Sequence, residues 1–163
     1  MHQETSETVY SATIDDAHVD YNGHMTEAAY AQLFATAAAH LFRRLDLEAA
    51  YRRRTGCTMY TVETRIRYLR EAHSGTKVTI GYRLLDRSDK RLHLYFEMFG
   101  PAGLLATYEC ISVHVSQREG EAARSTPFGP DHIGIFAKLV AAFEHVPKPD
   151  GIGKAPGLAH RGA

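Results

Sequence analysis

The chain predicts an α+β domain in which a curved antiparallel sheet wraps around one long central helix, with an extra helix near the C-terminus. Three observations lead there. An alanine-rich stretch from Thr26 to about Leu45 carries its larger apolar side chains at helical spacing. Four segments with strand character follow it in succession, and polar or Gly-Pro turns separate them. The order strand, helix, strands suits a single layer of sheet closing over a helix. At 163 residues the chain is large enough for one core and short for two.

Thr8 to Ile14 reads as the first strand, and Asp15 to His24 as a loop. In the long helix, Tyr30, Leu33, Phe34, Ala37, Leu41 and Leu45 form one apolar stripe. Ala28, Ala29, Ala31, Ala35, Ala38 and Ala39 fill other faces, keep helix propensity high and let a sheet approach closely, which predicts a wrapped helix. Asp46 to Arg54 extends as a short second helix that Gly56 stops. The strands are Thr58–Leu69, Thr76–Leu85, Arg91–Phe99 and Leu104–Ser116, read as a continuous meander. In the first of them a strict period of two sets Tyr60, Val62, Thr64, Ile66 and Tyr68 on one face, and Thr61, Glu63, Arg65 and Arg67 on the other. Asp131 is placed to cap a last helix, about 131–145, with Ile133, Phe136, Leu139, Val140 and Phe143 inward. The expected domain is 1–146, and the Gly- and Pro-rich residues 147–163 read as a flexible tail.

Nineteen basic and nineteen acidic residues cancel, which leaves no long-range field to attract nucleic acid or an anionic membrane. The N-terminus lacks the basic and apolar regions of a secretory signal, and no apolar run is long enough to span a membrane, so a soluble, cytoplasmic protein is expected. Cys57 and Cys110 are too few for a disulfide framework and read as buried free thiols.

The chemistry concentrates in Asp20-Tyr21-Asn22-Gly23-His24-Met25. A carboxylate and a histidine stand there beside the start of a helix, where unpaired N–H groups and the positive end of the dipole face out. Asp20 has two readings: a catalytic carboxylate, acting as nucleophile or as general base on water, or a cap of its own turn. Backbone N–H groups around Met25, Thr26 and Glu27 are candidates for holding an oxyanion. Gly23 permits a backbone angle closed to other residues and the close approach of a ligand. His24 either reaches the reacting group or fixes the loop through a backbone carbonyl, and Glu27 is a first-turn acid that touches substrate or only favours the dipole. Glu63 and Glu109 sit in strands, where a carboxylate is a second polar group of a pocket or a solvated side chain. His18, Asp20 and His24 do not lie together on any rigid element, and the calcium-loop spacing fails at Ala29, so no metal is expected.

These residues resemble the hotdog-fold acyl-CoA thioesterases of the 4-hydroxybenzoyl-CoA thioesterase type. Asp20, Gly23, His24 and Tyr30 stand where that family places its acid, its turn and the opening of its central helix. Val62 to Ala72 and Lys90 to Leu94 are similar to the family's strands, and the likeness covers roughly residues 8 to 117. Val19 to Glu27 resembles most the thioesterases of carnitine catabolism, which hydrolyse betainyl-CoA; one departure is Thr26, where many relatives carry Asn. The resemblance implies a hotdog fold, hydrolysis of a small acyl-CoA without cofactor, and a homodimer or homotetramer with sites shared between chains. Asp20, Gly23, His24, Met25, Thr26 and Glu27 would carry catalysis. Tyr21, Asn22, Tyr30, Tyr60 and Glu63 would face the acyl group, because a trimethylammonium head is recognised by aromatic faces and carboxylates. Arg65 and Arg67, with Arg52 to Arg54, are candidates for the phosphates of CoA or form a solvated face. The alternatives are a thioesterase for another short, branched or aromatic acyl group and a non-catalytic acyl-CoA-binding hotdog protein.

Overall fold

A computed structural model describes residues 6–117 and 120–154. β1 (Glu7–Thr13) is followed by a single 3-10 turn at Asp16–His18, then by α1 (Glu27–Arg44) and α2 (Ala49–Thr55). β2 (Cys57–Tyr68), β3 (Lys77–Arg87), β4 (Arg91–Gly100) and β5 (Gly103–Ser116) build the sheet. A two-residue β6 (Arg124–Ser125) and α3 (Pro130–Ala142) complete it.

The sheet is antiparallel throughout, in the order β1-β3-β4-β5-β2, with β6 paired to the end of β5. It curves over α1, whose Leu33, Phe34, Ala37 and Leu41 are buried beneath it. Each of the larger ones contributes roughly 1.5–3 kcal/mol by leaving water. Phe34 stacks on Tyr108 of β5, with ring centroids 5.2 Å apart. The covering is one-sided, because Ala28, Ala31, Ala35 and Ala39 look outward in the single chain.

The meander is a further correction. β3, β4 and β5 follow one another, but β2 crosses to pair with β5, and β1 takes the place beside β3. The connection between β2 and β3 explains the crossing, since it runs past the start of α1 and is bonded on both sides. Met25 donates its N–H to Ala72 O at 2.8 Å, and Gly75 N–H reaches Ile14 O at 2.7 Å.

Strict alternation in β2 also fails, because the register with β5 slips between Thr61 and Glu63. Val62 is the extra residue of a β-bulge, and a one-residue bulge exchanges the two faces beyond it. Tyr60, Glu63, Arg65 and Arg67 stand opposite Val113, Ile111, Glu109 and Thr107 on the outer face. Thr61, Thr64, Ile66 and Tyr68 share the inner face with Ser112, Cys110, Tyr108 and Ala106.

Gly56 takes the left-handed conformation at the end of α2, with φ 73°. The last helix is capped by Gly129, not Asp131, and begins with Pro130, whose fixed φ suits the first helical position. Phe136 is fully buried under it, and Phe128 packs edge-on against that ring. Cys110 is buried and its thiol is pushed up to about 12, by burial above all, while Cys57 is half-buried. Residues 147–154 lie across the outer face of the sheet: Arg83, Arg67 and Arg65 donate to the carbonyls of Pro147, Asp150, Gly151 and Lys154. The rest of the expected tail, 155–163, falls outside the described residues.

Candidate active site

The loop before α1 is built by Asp20. Its Oδ1 accepts from Asn22 N–H at 2.8 Å and from His24 N–H at 3.3 Å, and Oδ2 accepts from Asn22 Nδ2 at 3.3 Å. The turn closes with Gly23 N–H on Asp20 O, at φ 77° for the glycine, a value that L side chains rarely adopt. Burial pulls the Asp20 carboxyl upward, but the three N–H donors and the nearby His24 outweigh it and hold the group below the ordinary carboxylate value. It is a persistent anion with low basicity. Asp20, Tyr21 and Asn22 are all exposed in the single chain, Tyr21 at 96%.

Thr26 caps α1, accepting from Ala29 N–H at 3.2 Å. Its own N–H goes to His18 O and that of Met25 to Ala72 O, so neither is open to a ligand. Among the described residues the free donors of the first turn are the N–H groups of Glu27 and Ala28, one residue further in than the sequence suggests.

These donors adjoin a cleft of about 370 Å³ lined by His24, Met25, Glu27, Tyr30, Tyr68, Leu69, Arg70 and Glu71. Its volume is in the usual range for a small-molecule site. Tyr30 and Tyr68 meet edge to face, centroids 5.2 Å apart, and Tyr30 Oη donates to Arg70 O at 3.2 Å. Burial pushes up both phenols, and negative charge adds to it: Tyr30 feels Tyr68 and Glu71, and Tyr68 feels Glu27. The cleft therefore joins two aromatic rings and the carboxylates of Glu27 and Glu71, with Arg70 as its basic residue.

Of the residues singled out in the sequence, His24, Met25, Glu27 and Tyr30 line this cleft, and Thr26 caps the helix beside it. Asp20, Tyr21, Asn22 and Gly23 form the adjoining loop. Tyr60 does not join them, since the bulge turns it outward, where its hydroxyl donates to Gln117 Oε1 at 2.6 Å. Glu63, Arg65 and Arg67 share that outer face, and both arginines hold the C-terminal segment there. Glu109 also faces outward and accepts from Gly153 N–H. Arg54 pairs with Asp46 at 2.6 Å. Tyr68, Leu69, Arg70 and Glu71 went unnoticed as site residues; Tyr68 could have been found by following its face of β2 toward the helix start.

The chain matches the family model described as the thioesterase-like superfamily over residues 14–143. It is 31% identical over 153 residues to a betainyl-CoA thioesterase of Pseudomonas aeruginosa, covering 93% of this chain and 94% of that one. It is 38% identical over 120 residues to an L-carnitine dehydrogenase/betainyl-CoA thioesterase of Agrobacterium fabrum, which covers 73% of this chain and 25% of that longer protein. A suspected thioesterase of Pseudomonas putida superposes with a TM-score of 0.79 at 28% identity, over 94% of this chain and 97% of that one. A Staphylococcus aureus protein solved in complex with CoA gives 0.80 at 23% identity, over 94% and 96%, a likeness of fold.

Proposed function

The chain belongs to the thioesterase-like superfamily, and we propose that this acyl-CoA thioesterase prefers betainyl-CoA and releases betaine and CoA in the breakdown of carnitine. The observation that carries the reading is the cleft at the start of α1, where two tyrosine rings and two carboxylates meet the open N–H groups of a helix. A trimethylammonium head cannot donate hydrogen bonds, so aromatic faces and negative charge are what select it. Tyr30, Tyr68 and Glu27 supply both.

In this reading the thioester oxygen points at the N–H groups of Glu27 and Ala28, which hold the oxyanion together with the helix dipole. Asp20 is the reacting carboxylate. Its hydrogen bonds keep it ionised and weaken it as a base, which favours attack on the carbonyl over activation of water. The attack forms an acyl–Asp20 anhydride and expels the CoA thiolate. Water then cleaves the anhydride to betaine and restores the carboxylate.

The exposed Asp20 and the open cleft call for a second subunit. β2 leaves one long edge unpaired among the described residues, and Tyr60, Val62, Tyr68 and Leu69 are 40%, 63%, 51% and 43% exposed along it. Such an edge invites pairing. Because Tyr68 and Leu69 also line the cleft, a copy seated on that edge completes the site. The expected assembly is at least a homodimer.

Turnover of an acyl-CoA panel, followed by released thiol, tests the reading. Betainyl-CoA should exceed its neutral isostere tert-butylacetyl-CoA by about tenfold or more in kcat/KM, the scale of a desolvated cation–π contact. Equal rates would reject the substrate. Asp20→Asn should lower kcat by roughly 10²–10⁴-fold with KM little changed, and an active Asn variant would reject the mechanism.

A further inference from the structure

At the wall of the cleft, which His24 and Glu71 line, these two and His73 bring three ligand atoms within 4.8 Å of one another. His24 Nε2 lies 3.5 Å from Glu71 Oε2, and the two imidazoles stand 4.9 Å apart. We propose that these three residues form a binding site for a divalent transition metal, with zinc the ion that a two-histidine, one-carboxylate set suits best.

The ligands come from two segments far apart in sequence, and the backbone stitches these segments together. Met25 N–H donates to Ala72 O at 2.8 Å, which fixes the residue after His24 to the residue between Glu71 and His73. Ala72 is itself 2% exposed, so the loop is anchored in the core between its two ligands. His73 Nδ1 lies 2.9 Å from Gly23 O. A carbonyl only accepts, so Nδ1 carries the proton and Nε2 keeps a free lone pair. Metal-binding histidines show this arrangement, one ring nitrogen donating to a carbonyl while the other ligates.

The separations fit an ion as well. Bonds of about 2.0–2.2 Å in a tetrahedron set ligands roughly 3.4 Å apart. The His24–Glu71 pair already stands at that distance, and all three ligand atoms lie within 4.8 Å of one another. Three protein ligands leave a fourth position open. This differs from His18, Asp20 and His24, because His18 is bonded to Asp15 and Asp20 is engaged by its own turn. The site does not depend on the proposed substrate, since metal binding is read without turnover.

The full chain, freed of metal by chelation, is titrated with Co²⁺ alone and followed by its visible d–d bands. Zn²⁺ is then titrated against a chromophoric chelator. One ion per chain is expected, with the intense bands of a tetrahedral centre. Glu71→Gln and His73→Ala should each weaken binding by more than about 100-fold, beyond the loss of a mere outer partner. Glu71 is 72% exposed as a side chain, so its variant reports on metal even if His73→Ala disturbs the loop. No stoichiometric binding by the parent chain, or binding that survives Glu71→Gln, would overturn the site.

Discussion

At Thr26 one hydroxyl sets where the helix begins and which donors remain open. Thr26→Ala removes the bond to Ala29 N–H and should cost about 1 kcal/mol, seen as a lower denaturant midpoint with unchanged slope. Substrate choice rests on Tyr68 and Glu27: Tyr68→Leu and Glu27→Gln should each reduce the preference for betainyl-CoA over tert-butylacetyl-CoA by about 2–30-fold, while hydrolysis of the neutral ester persists. A different residue governs acid stability. His114 is 2% exposed, with Nε2 against Tyr51 Oη at 2.9 Å and Nδ1 on Thr126 O at 2.8 Å. Burial, and to a lesser extent His132, hold its pKa below the ordinary 6.5 against the opposing pull of the Thr126 carbonyl. The unfolded chain thus binds a proton first. Stability from this group is complete above pH 6.5 and falls as the pH drops from there through the lower folded value. Thermal melts between neutral and acid pH should show that loss, and His114→Gln should flatten it.

At the scale of elements, the β-bulge decides what reaches the cleft. Deleting Val62 would remove the extra residue and its local bend while Tyr60 and Glu63 keep their places opposite Val113 and Ile111; the outward row that holds the C-terminal segment should survive, and any loss of turnover, read by thiol release, should come from the lost bend beside the cleft. Periodicity made α1 legible because its stripe repeats over five turns, and Gly56 and Pro130 punctuated their helices by backbone geometry alone. The bulge was not legible, since Val62 is an ordinary strand residue and the slip is visible only against β5. Strand order was hidden for a similar reason: the contacts that carry β2 away from β3 belong to Met25, Ala72 and Ile14, none of which has a polar side chain to advertise them. Within the site, the charged and turn-forming residues of the loop announced themselves. Tyr68 and Leu69 read as ordinary strand positions, and their role in the cleft comes from the approach of α1.

For the whole molecule, the proposed dimer rests on the free edge of β2. Val62→Asp places a charge on the most exposed apolar position of that edge, and light scattering should show the proposed dimer shifted toward monomer, with turnover reduced because the cleft stays open. No helix among the described residues is long and apolar enough to cross a membrane. The sheet order has one more consequence, for the newborn chain. β2 is made early, yet its sole strand partner among the described residues is β5, which ends at Ser116. While the ribosome adds β3, β4 and β5, a strand therefore waits without a mate, and closing such distant pairs is slow. Chaperone demand during synthesis should follow from that interval.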